Sequence, residues 1–314
     1  AMMMPVGLTL IYNTSKDRAI TKNLAPLILF SIAYGSAMGS IGTPSGGGRN
    51  VIMMEYWQEF GLANITYLGW MRYSYPMLLL EIPLAVIILW FTFRPKQKVL
   101  DSAVRKLKIQ VAKKGAMTGQ DMITIIVFFL VFLGWVFLSH KIGLGIIALM
   151  GVFLYLVLGL IRWSDLNQNT NWGVILLFGA AVSIGIQMKE TGAALWLANS
   201  VMDALKIISE DISVLRWVMA VLLTGTLTNL LSNSATIAVI GPIVLNMGGD
   251  PIIMGFSTAI ASAFAYLTVV ASPTCMIIYS SGLVKQSDYM KAGWKMFIMS
   301  IIVLFIMSKI WTIY

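Results

Sequence analysis

Long stretches without a single charge constrain this chain more than any other feature. Lys22 and Arg49 enclose 26 uncharged residues, Asp121 and Lys141 enclose 19, Lys141 and Arg162 enclose 20, and Asp165 and Lys189 enclose 23. About 20 apolar residues cross the hydrocarbon core as a helix, so each stretch is long enough to span it. Pro76–Phe93, with only Glu81 near its start, is a further span, and 292–313 is the last. Composition matters here because only 11% of the 314 residues are charged and 58% are apolar, whereas about a quarter of an ordinary globular domain is charged. Together with a mean hydropathy of +0.84, this excludes disorder, collagen, a disulfide scaffold and a cytosolic nucleic-acid binder. The lipid bilayer is an expected partner and nucleic acid is not. Cys275 stands alone, so no intramolecular disulfide forms, and the single His140 cannot build a histidine-rich zinc centre. The fold class is an all-α polytopic membrane protein.

Two gaps are too long for plain helices: 33 residues between Arg216 and Asp250, and 34 between Asp250 and Lys285. Leu231-Ser232-Asn233-Ser234 interrupts the first and Ala271-Ser272-Pro273 the second. The chain also matches itself. Ala1-Met2-Met3-Met4-Pro5-Val6-Gly7-Leu8 aligns with Ala238-Val239-Ile240-Gly241-Pro242-Ile243-Val244-Leu245. Each copy runs into a broken helix, at Gly42-Thr43-Pro44 and at Ala271-Ser272-Pro273, with 39 and 31 residues from proline to proline. On this alignment the chain opens in mid-helix without a signal peptide or basic start. A Ser-Asn-Ser equivalent is expected just before Ala1, so that part of the first repeat precedes the chain.

Charge asymmetry orients the spans. Arg94, Lys96, Lys98, Arg105, Lys106, Lys108, Lys113 and Lys114 face Asp101 alone, which makes this linker cytoplasmic by the positive-inside rule. Val99, Val104, Leu107 and Val111 among these lysines suit an amphipathic helix on the membrane surface; a solvated linker fits equally. Counting outward, Lys285, Lys291 and Lys295 fall in the cytoplasm only if 211–247 is a re-entrant hairpin from outside with its tip at Ser232-Asn233-Ser234. Ala1–Tyr12 is then the returning arm of an opposite hairpin. Fifteen of 22 basic residues become cytoplasmic, six lie outside, and Arg49 sits at a helix break. Opposite hairpins in two copies make an inverted repeat. Residues 1–93 are the C-terminal part of the first repeat (hairpin arm, broken helix, one span). Residues 94–120 are the basic linker. Residues 121–314 are the second repeat, with the hairpin at 211–247, a broken helix at 251–283 and the last span at 292–313.

Non-helical backbone at bilayer depth costs several kcal/mol per unpaired group unless protein or a water-filled cavity satisfies it. Its free carbonyls suit a small hard cation, and N–H groups at half-helix N-termini suit an anion. Asn233 carries one amide oxygen and two N–H donors, enough for both ions. Ser232 and Ser234 donate to anionic oxygens, and Thr228 can turn its hydroxyl toward the same cation. Pro273 ends a helix and removes a donor. Gly46-Gly47-Gly48 lacks the lysine of a phosphate loop and reads as an unwound joint. Arg49, the one charge in that joint, is either an interfacial anchor or an attractor for an anion.

Leu231-Ser232-Asn233-Ser234-Ala235-Thr236, with Pro242 and then Ala271-Ser272-Pro273, resembles the second Ser-Asn-Thr repeat of the divalent anion/sodium symporter family. Ala1-Met2-Met3-Met4-Pro5, Gly42-Thr43-Pro44 and Asn171-Trp172-Gly173 with Leu177-Phe178-Gly179 are similar to other landmarks of that family. The resemblance implies two hairpins, two broken helices, an elevator movement and a homodimer when full length. It implies a sodium site at Thr228, the Leu231 carbonyl, Asn233 and the Ala271 carbonyl. The Gly42 carbonyl resembles that of a first sodium site, whose other ligands would then lie before Ala1. Ser232, Asn233, Ser234, Thr43, Pro44, Ser272 and Pro273 correspond to substrate contacts. Two departures stand out: Ser234 replaces a threonine, and Ser-Gly-Gly-Gly-Arg-Asn follows Pro44 where Pro-Asn is usual.

The expected function is sodium-driven secondary transport of small divalent anions, C4-dicarboxylates such as succinate, across the cell membrane. Sodium is the coupling ion and no enzymatic activity is expected. A sodium-independent exchanger and a sulfate or citrate carrier of the same fold are the alternatives. An intramembrane enzyme would need a paired Asp-Asp, Ser-His or metal set at depth. A structural subunit would not need matched helix breaks.

Overall fold

The computed structural model describes residues 3–14, 23–95, 101–113, 115–170, 172–206 and 213–312, and among these every regular element is a helix. Outside that set lie Ala1 and Met2 of the repeat alignment, the charges Lys16, Arg18 and Lys22, and the linker residues Lys96, Lys98, Val99 and Lys114. Asn171 and the first residues of the 211–247 hairpin lie outside it too. In chain order the helices are α1 (Met4–Thr14), α2 (Leu24–Gly39), α3 (Gly48–Glu59), α4 (Tyr67–Thr92), α5 (Asp101–Lys113), α6 (Gly119–Ile142), α7 (Leu144–Val157) and α8 (Trp163–Asn169). There follow α9 (Trp172–Glu190), α10 (Ala193–Lys206), α11 (Ser213–Leu227), α12 (Asn233–Asn246), α13 (Pro251–Ala261), α14 (Pro273–Ser280) and α15 (Gln286–Trp311). A single 3-10 turn, Pro44–Gly46, separates α2 from α3.

Among the described residues three helices, α4, α6 and α15, are long and apolar enough to cross a membrane. The 26 residues of α4 reach about 39 Å at 1.5 Å per residue. It starts at Tyr67, ahead of the expected Pro76, because Thr66 Oγ1 accepts from Gly69 N at 3.0 Å and caps it. Pro76 and Pro83 then ride inside the helix, as prolines can where neighbouring helices re-satisfy the freed carbonyls. Helix α15 starts at Gln286, ahead of the expected 292. Asp288 Oδ2 accepts from Lys285 N at 2.9 Å, so a charged first turn is capped outside the apolar span. The expected span between Lys141 and Arg162 shortens to the 14 residues of α7. Gly143 (φ +83°) turns the chain into it, and Gly159 (φ +66°) follows its end, both in the left-handed region that glycine adopts freely. Helices α6 and α7 pack on each other and turn Phe129 and Phe153 outward.

The basic linker contains a helix that docks on the protein. Helix α5 packs on α1, where Ser102 Oγ donates to Asn13 O at 3.2 Å and Lys106 Nζ to Asn13 Oδ1 at 2.9 Å. Ala103 is buried in that contact while Val104 faces outward.

Around the breaks the packing is reciprocal. Helices α11 and α12 both pack on α13, and α12 and α13 pack on α3, while α14 packs on α2. Each broken helix thus sets its first half against the second half of the other. Aromatic donors lock this crossing by taking carbonyls that the helices leave open. Pro242 has no N–H to offer the carbonyl four residues back, so Ala238 O has no helical partner. Tyr56 Oη of α3 donates to it at 3.0 Å. Trp57 Nε1 donates to Pro251 O at 2.8 Å, and Tyr34 Oη of α2 to Tyr266 O at 2.9 Å. A wholly buried set including Trp57, Trp70, Tyr34, Tyr56, Tyr266 and Phe256 fills the centre.

Candidate functional site

Two helix breaks bring the expected residues to the surface of this core. In the second, α11 ends at Leu227 and α12 begins at Asn233. Ser232 is the N-cap of α12, its hydroxyl accepting from Ala235 N at 3.3 Å. Asn233 and Ser234 therefore lie in the first turn of α12, where backbone N–H groups are free to face an anion. Ser272 caps α14 in the same way, accepting from Cys275 N at 3.2 Å, and Pro273 takes the first helical position, so it opens a helix instead of ending one as expected; the preceding half-helix already stops at Ala261.

Between these caps is a cage of oxygens. The inward end of the Asn233 amide lies 2.9 Å from Thr228 Oγ1, 3.2 Å from Ser262 O and 3.3 Å from Ala271 O. Thr228 Oγ1 is also 2.6 Å from Ser262 O, and Thr228 is fully buried. With its nitrogen inward, the two N–H groups of Asn233 are shared among these three acceptors. With its oxygen inward, four oxygens converge and share only the threonine proton. That second arrangement is the donor set of a small hard cation, built from a hydroxyl, an amide and unwound carbonyls. Three expected ligands, Thr228, Asn233 and Ala271, are brought together. Ser262 joins them, a carbonyl that sequence reading missed. Leu231 sits on the tip beside Ser232 with its side chain exposed.

Asn229 was also missed, and it holds the tip in place. It is buried, and its Nδ2 donates to Gly225 O at 2.7 Å and to Phe264 O at 3.0 Å. Its Oδ1 accepts from Leu267 N at 2.8 Å, and its carbonyl accepts from Thr268 Oγ1 at 2.7 Å. Hairpin and broken helix are thereby one bonded unit. A polar Thr-Asn pair ahead of Ser-Asn-Ser in an apolar stretch was the available signal.

The first break is stitched from outside itself. Asn50 Nδ2 donates to Ser40 O at 2.9 Å and Thr43 O at 2.8 Å, and Trp70 Nε1 to Ile41 O at 2.8 Å. Ser74 Oγ donates to Gly42 O at 2.9 Å, leaving that carbonyl one lone pair for a cation. Thr43 Oγ1 lies 3.4 Å from Ser45 Oγ, Ser45 Oγ lies 2.9 Å from Tyr67 Oη, and Pro44 is buried. Arg49 is only 4% exposed, which rules out the interfacial anchor. Its Nη2 donates to Ser40 Oγ at 2.7 Å, and its Nε has no protein partner. A Cβ on Gly46 would stand 2.5 Å from Ser40 O, so the joint closes only around glycine. Gly46→Ala is expected to force the Ser40–Thr43 backbone apart and to destabilise the protein by about 1–3 kcal/mol. A wild-type unfolding temperature for this variant would show that the joint has room for a methyl group beside Ser40 O.

A cavity of about 830 Å³ lies between α1, α2 and the Trp90 end of α4, with Thr274 of the second break also in its lining. Val6, Leu10, Ile28 and Ile32 line it, a surface suited to hydrocarbon and not to a dianion.

With two capped half-helices and an oxygen cage between them, likeness to known proteins becomes informative. Residues 2–314 match the sodium:sulfate symporter transmembrane region. The chain belongs to that family. It is therefore a multi-pass integral membrane protein of a transporter family, not an enzyme. Similar proteins include an uncharacterized transporter of Haemophilus influenzae, 27% identical over 97% of this chain and 66% of the relative. The sodium-dependent high-affinity dicarboxylate transporter 3 of Caenorhabditis elegans is 24% identical, covering 93% of this chain and 60% of that protein. The sodium-dependent dicarboxylate transporter SdcS of Staphylococcus saprophyticus is 25% identical, covering 96% and 63%. The chain thus spans about three-fifths to two-thirds of the length of these relatives.

Proposed function

We propose that this family member takes part in sodium-coupled transport of small divalent anions, with C4-dicarboxylates such as succinate as substrates. The observation that carries the reading is the convergence of the Thr228 hydroxyl, the Asn233 amide and the Ser262 and Ala271 carbonyls beside two half-helix N-termini. Sodium occupies the cage, with the Leu231 carbonyl as a further ligand, and the Gly42 carbonyl serves a second ion. The anion sits across Ser232, Asn233, Ser234, Ser272 and Pro273 from one repeat and Thr43 and Pro44 from the other. The buried charge of Arg49, uncompensated by any ion pair among the described residues, adds attraction from the first break.

The physical logic is mutual neutralisation. A dianion at bilayer depth loses its hydration, and helix N-termini with their partial positive charge recover only part of that loss. A cation held by the same Asn233 supplies much of the rest, so each ion loads well only with the other. The crossing of α2 on α14 and α3 on α13 supports an inverted repeat, and a repeat of that design moving as a body against a dimeric scaffold fits an elevator. The relatives named as sodium-dependent dicarboxylate transporters support the ion and the substrate class.

The test is radiolabelled succinate uptake into proteoliposomes by the protein expressed from its full reading frame, over a sodium titration, with sulfate and citrate as competitors. Uptake rising steeply with sodium is the expected result; sodium-independent counterflow would replace symport by exchange. Two variants separate the ions. Thr228→Ala is expected to weaken sodium by about tenfold, the worth of one charge-assisted bond, with saturating sodium restoring succinate affinity. Ser272→Ala is expected to weaken succinate and leave sodium dependence unchanged at saturating substrate. The same response from both variants would contradict separate subsites.

A further inference from the structure

One acidic residue lies within α4, Glu81, and it has no exposed surface. It sits near the middle of a helix long and apolar enough to cross the membrane. Oε1 accepts from Tyr266 Oη at 3.4 Å and makes a short contact with Ser300 Oγ of α15. Oε2 is fully enclosed and has no partner. Among the described residues no cationic side chain reaches either oxygen.

The surroundings account for every neighbour of the carboxyl. From the break between α13 and α14 comes Tyr266, among the described residues the one titratable group in contact with it. Helix α2 presents Tyr34, whose hydroxyl is spent on the Tyr266 carbonyl. Helix α15 presents Ser300, while its Tyr289 bonds Cys275 O and its Lys295 bonds Thr92 Oγ1. Helix α6 carries Asp121, His140 and Lys141 at its ends only. The Arg49 guanidinium lies within electrostatic reach of the Tyr266 hydroxyl but forms no ion pair with Glu81. A lone carboxylate out of water, without a cation, takes up a proton instead of staying charged. The Ser300 hydroxyl can donate to a carboxylate or accept from a carboxylic acid, so that contact survives the change.

The neighbour in question matters for the site. Tyr266 precedes Leu267, whose N–H holds Asn229 and through it the hairpin tip. A Cβ on Gly293 would stand 2.3 Å from the Tyr266 carbonyl, so α15 wedges this segment tightly. Charge appearing at Glu81 would act directly on the break.

We propose that Glu81 is a proton-binding site: it holds a proton taken from water while Tyr266 lies against it, and releasing that proton loosens the Tyr266–Thr268 segment from the hairpin tip. This goes beyond sodium coupling, and its first test does not rest on that reading. Infrared spectroscopy of the full-length protein in lipid at neutral pH is expected to show a protonated-carboxyl stretch, since exposed carboxyls are ionised there. The band should vanish in Glu81→Gln, which keeps both hydrogen bonds, and shift in Ser300→Ala, which keeps the acid. If Glu81→Gln fails to accumulate, the Ser300→Ala shift decides alone. No such band in the wild type, or one unmoved by either variant, overturns the proposal. The second arm is uptake between about pH 6 and about pH 9. The wild type is expected to lose about fivefold or more in apparent sodium affinity toward the alkaline end, the range of ordinary site–site coupling, while Glu81→Gln stays flat. Equal pH dependence in both would overturn the linkage. Uptake without sodium would overturn the proposed function and leave the infrared result standing.

Discussion

Asn229→Ala is expected to cost the protein its sodium response. The substitution removes both side-chain ends of a bonded unit: the Nδ2 bonds to Gly225 O and Phe264 O, and the Oδ1 bond from Leu267 N. Asn229 is 3% exposed, so Leu267 N loses its partner inside the protein, while Phe264 O keeps only the bond from Tyr266 N. Each buried group so orphaned costs about 1–3 kcal/mol. The tip and the broken helix would then separate while the helices themselves persist. Thermal unfolding in detergent, with and without sodium, reads this directly. The wild type should gain stability on adding sodium, because an ion that binds only the folded arrangement stabilises it. Asn229→Ala should start lower and gain little. A variant that gains as much as the wild type would show that Asn229 does not organise the cation site.

Asn233→Ala should weaken both ions together. It removes an amide oxygen from the cage and two donors from the first turn of α12. Each hydrogen bond to a charged group is worth about 1.5–3 kcal/mol, and about 1.4 kcal/mol is a factor of ten in affinity. Apparent affinities for sodium and for succinate should each fall by about tenfold or more. Binding linkage is reciprocal, so raising either ion should partly restore the other. This separates Asn233 from Thr228, which touches only the cage. Unchanged sodium dependence in Asn233→Ala, with normal protein levels in the membrane, would sink the shared site. Ser232-Asn233-Ser234 would then be helix-packing glue.

Much of the fold was legible from the residues. Uncharged stretches became helices because a backbone in lipid must bond to itself, and a helix does so within one segment. The break at Ser232-Asn233-Ser234 was legible from its polar residues, but Pro273, expected to end a helix, opens one because the capping Ser272 precedes it and its missing N–H costs nothing in a first turn. Asn233 and Thr228 were nameable from polar side chains that interrupt an apolar run, whereas the Ala271 carbonyl was named only by the family resemblance. What only the tertiary structure decided were the partners that no motif announces. Ser262 reaches Thr228 across 34 positions, Tyr56 reaches the carbonyl that Pro242 leaves open across 182, and Tyr266 reaches Glu81 across 185. Arg49 could be placed at a break by sequence, but its burial depends on Ser40 and on helices that fold over it. Helix formation and capping are decided within a few residues, by propensity and by the nearest free N–H or carbonyl. The satisfaction of an opened backbone inside a membrane is decided by whichever side chain packing brings near, and that distance is not written along the chain.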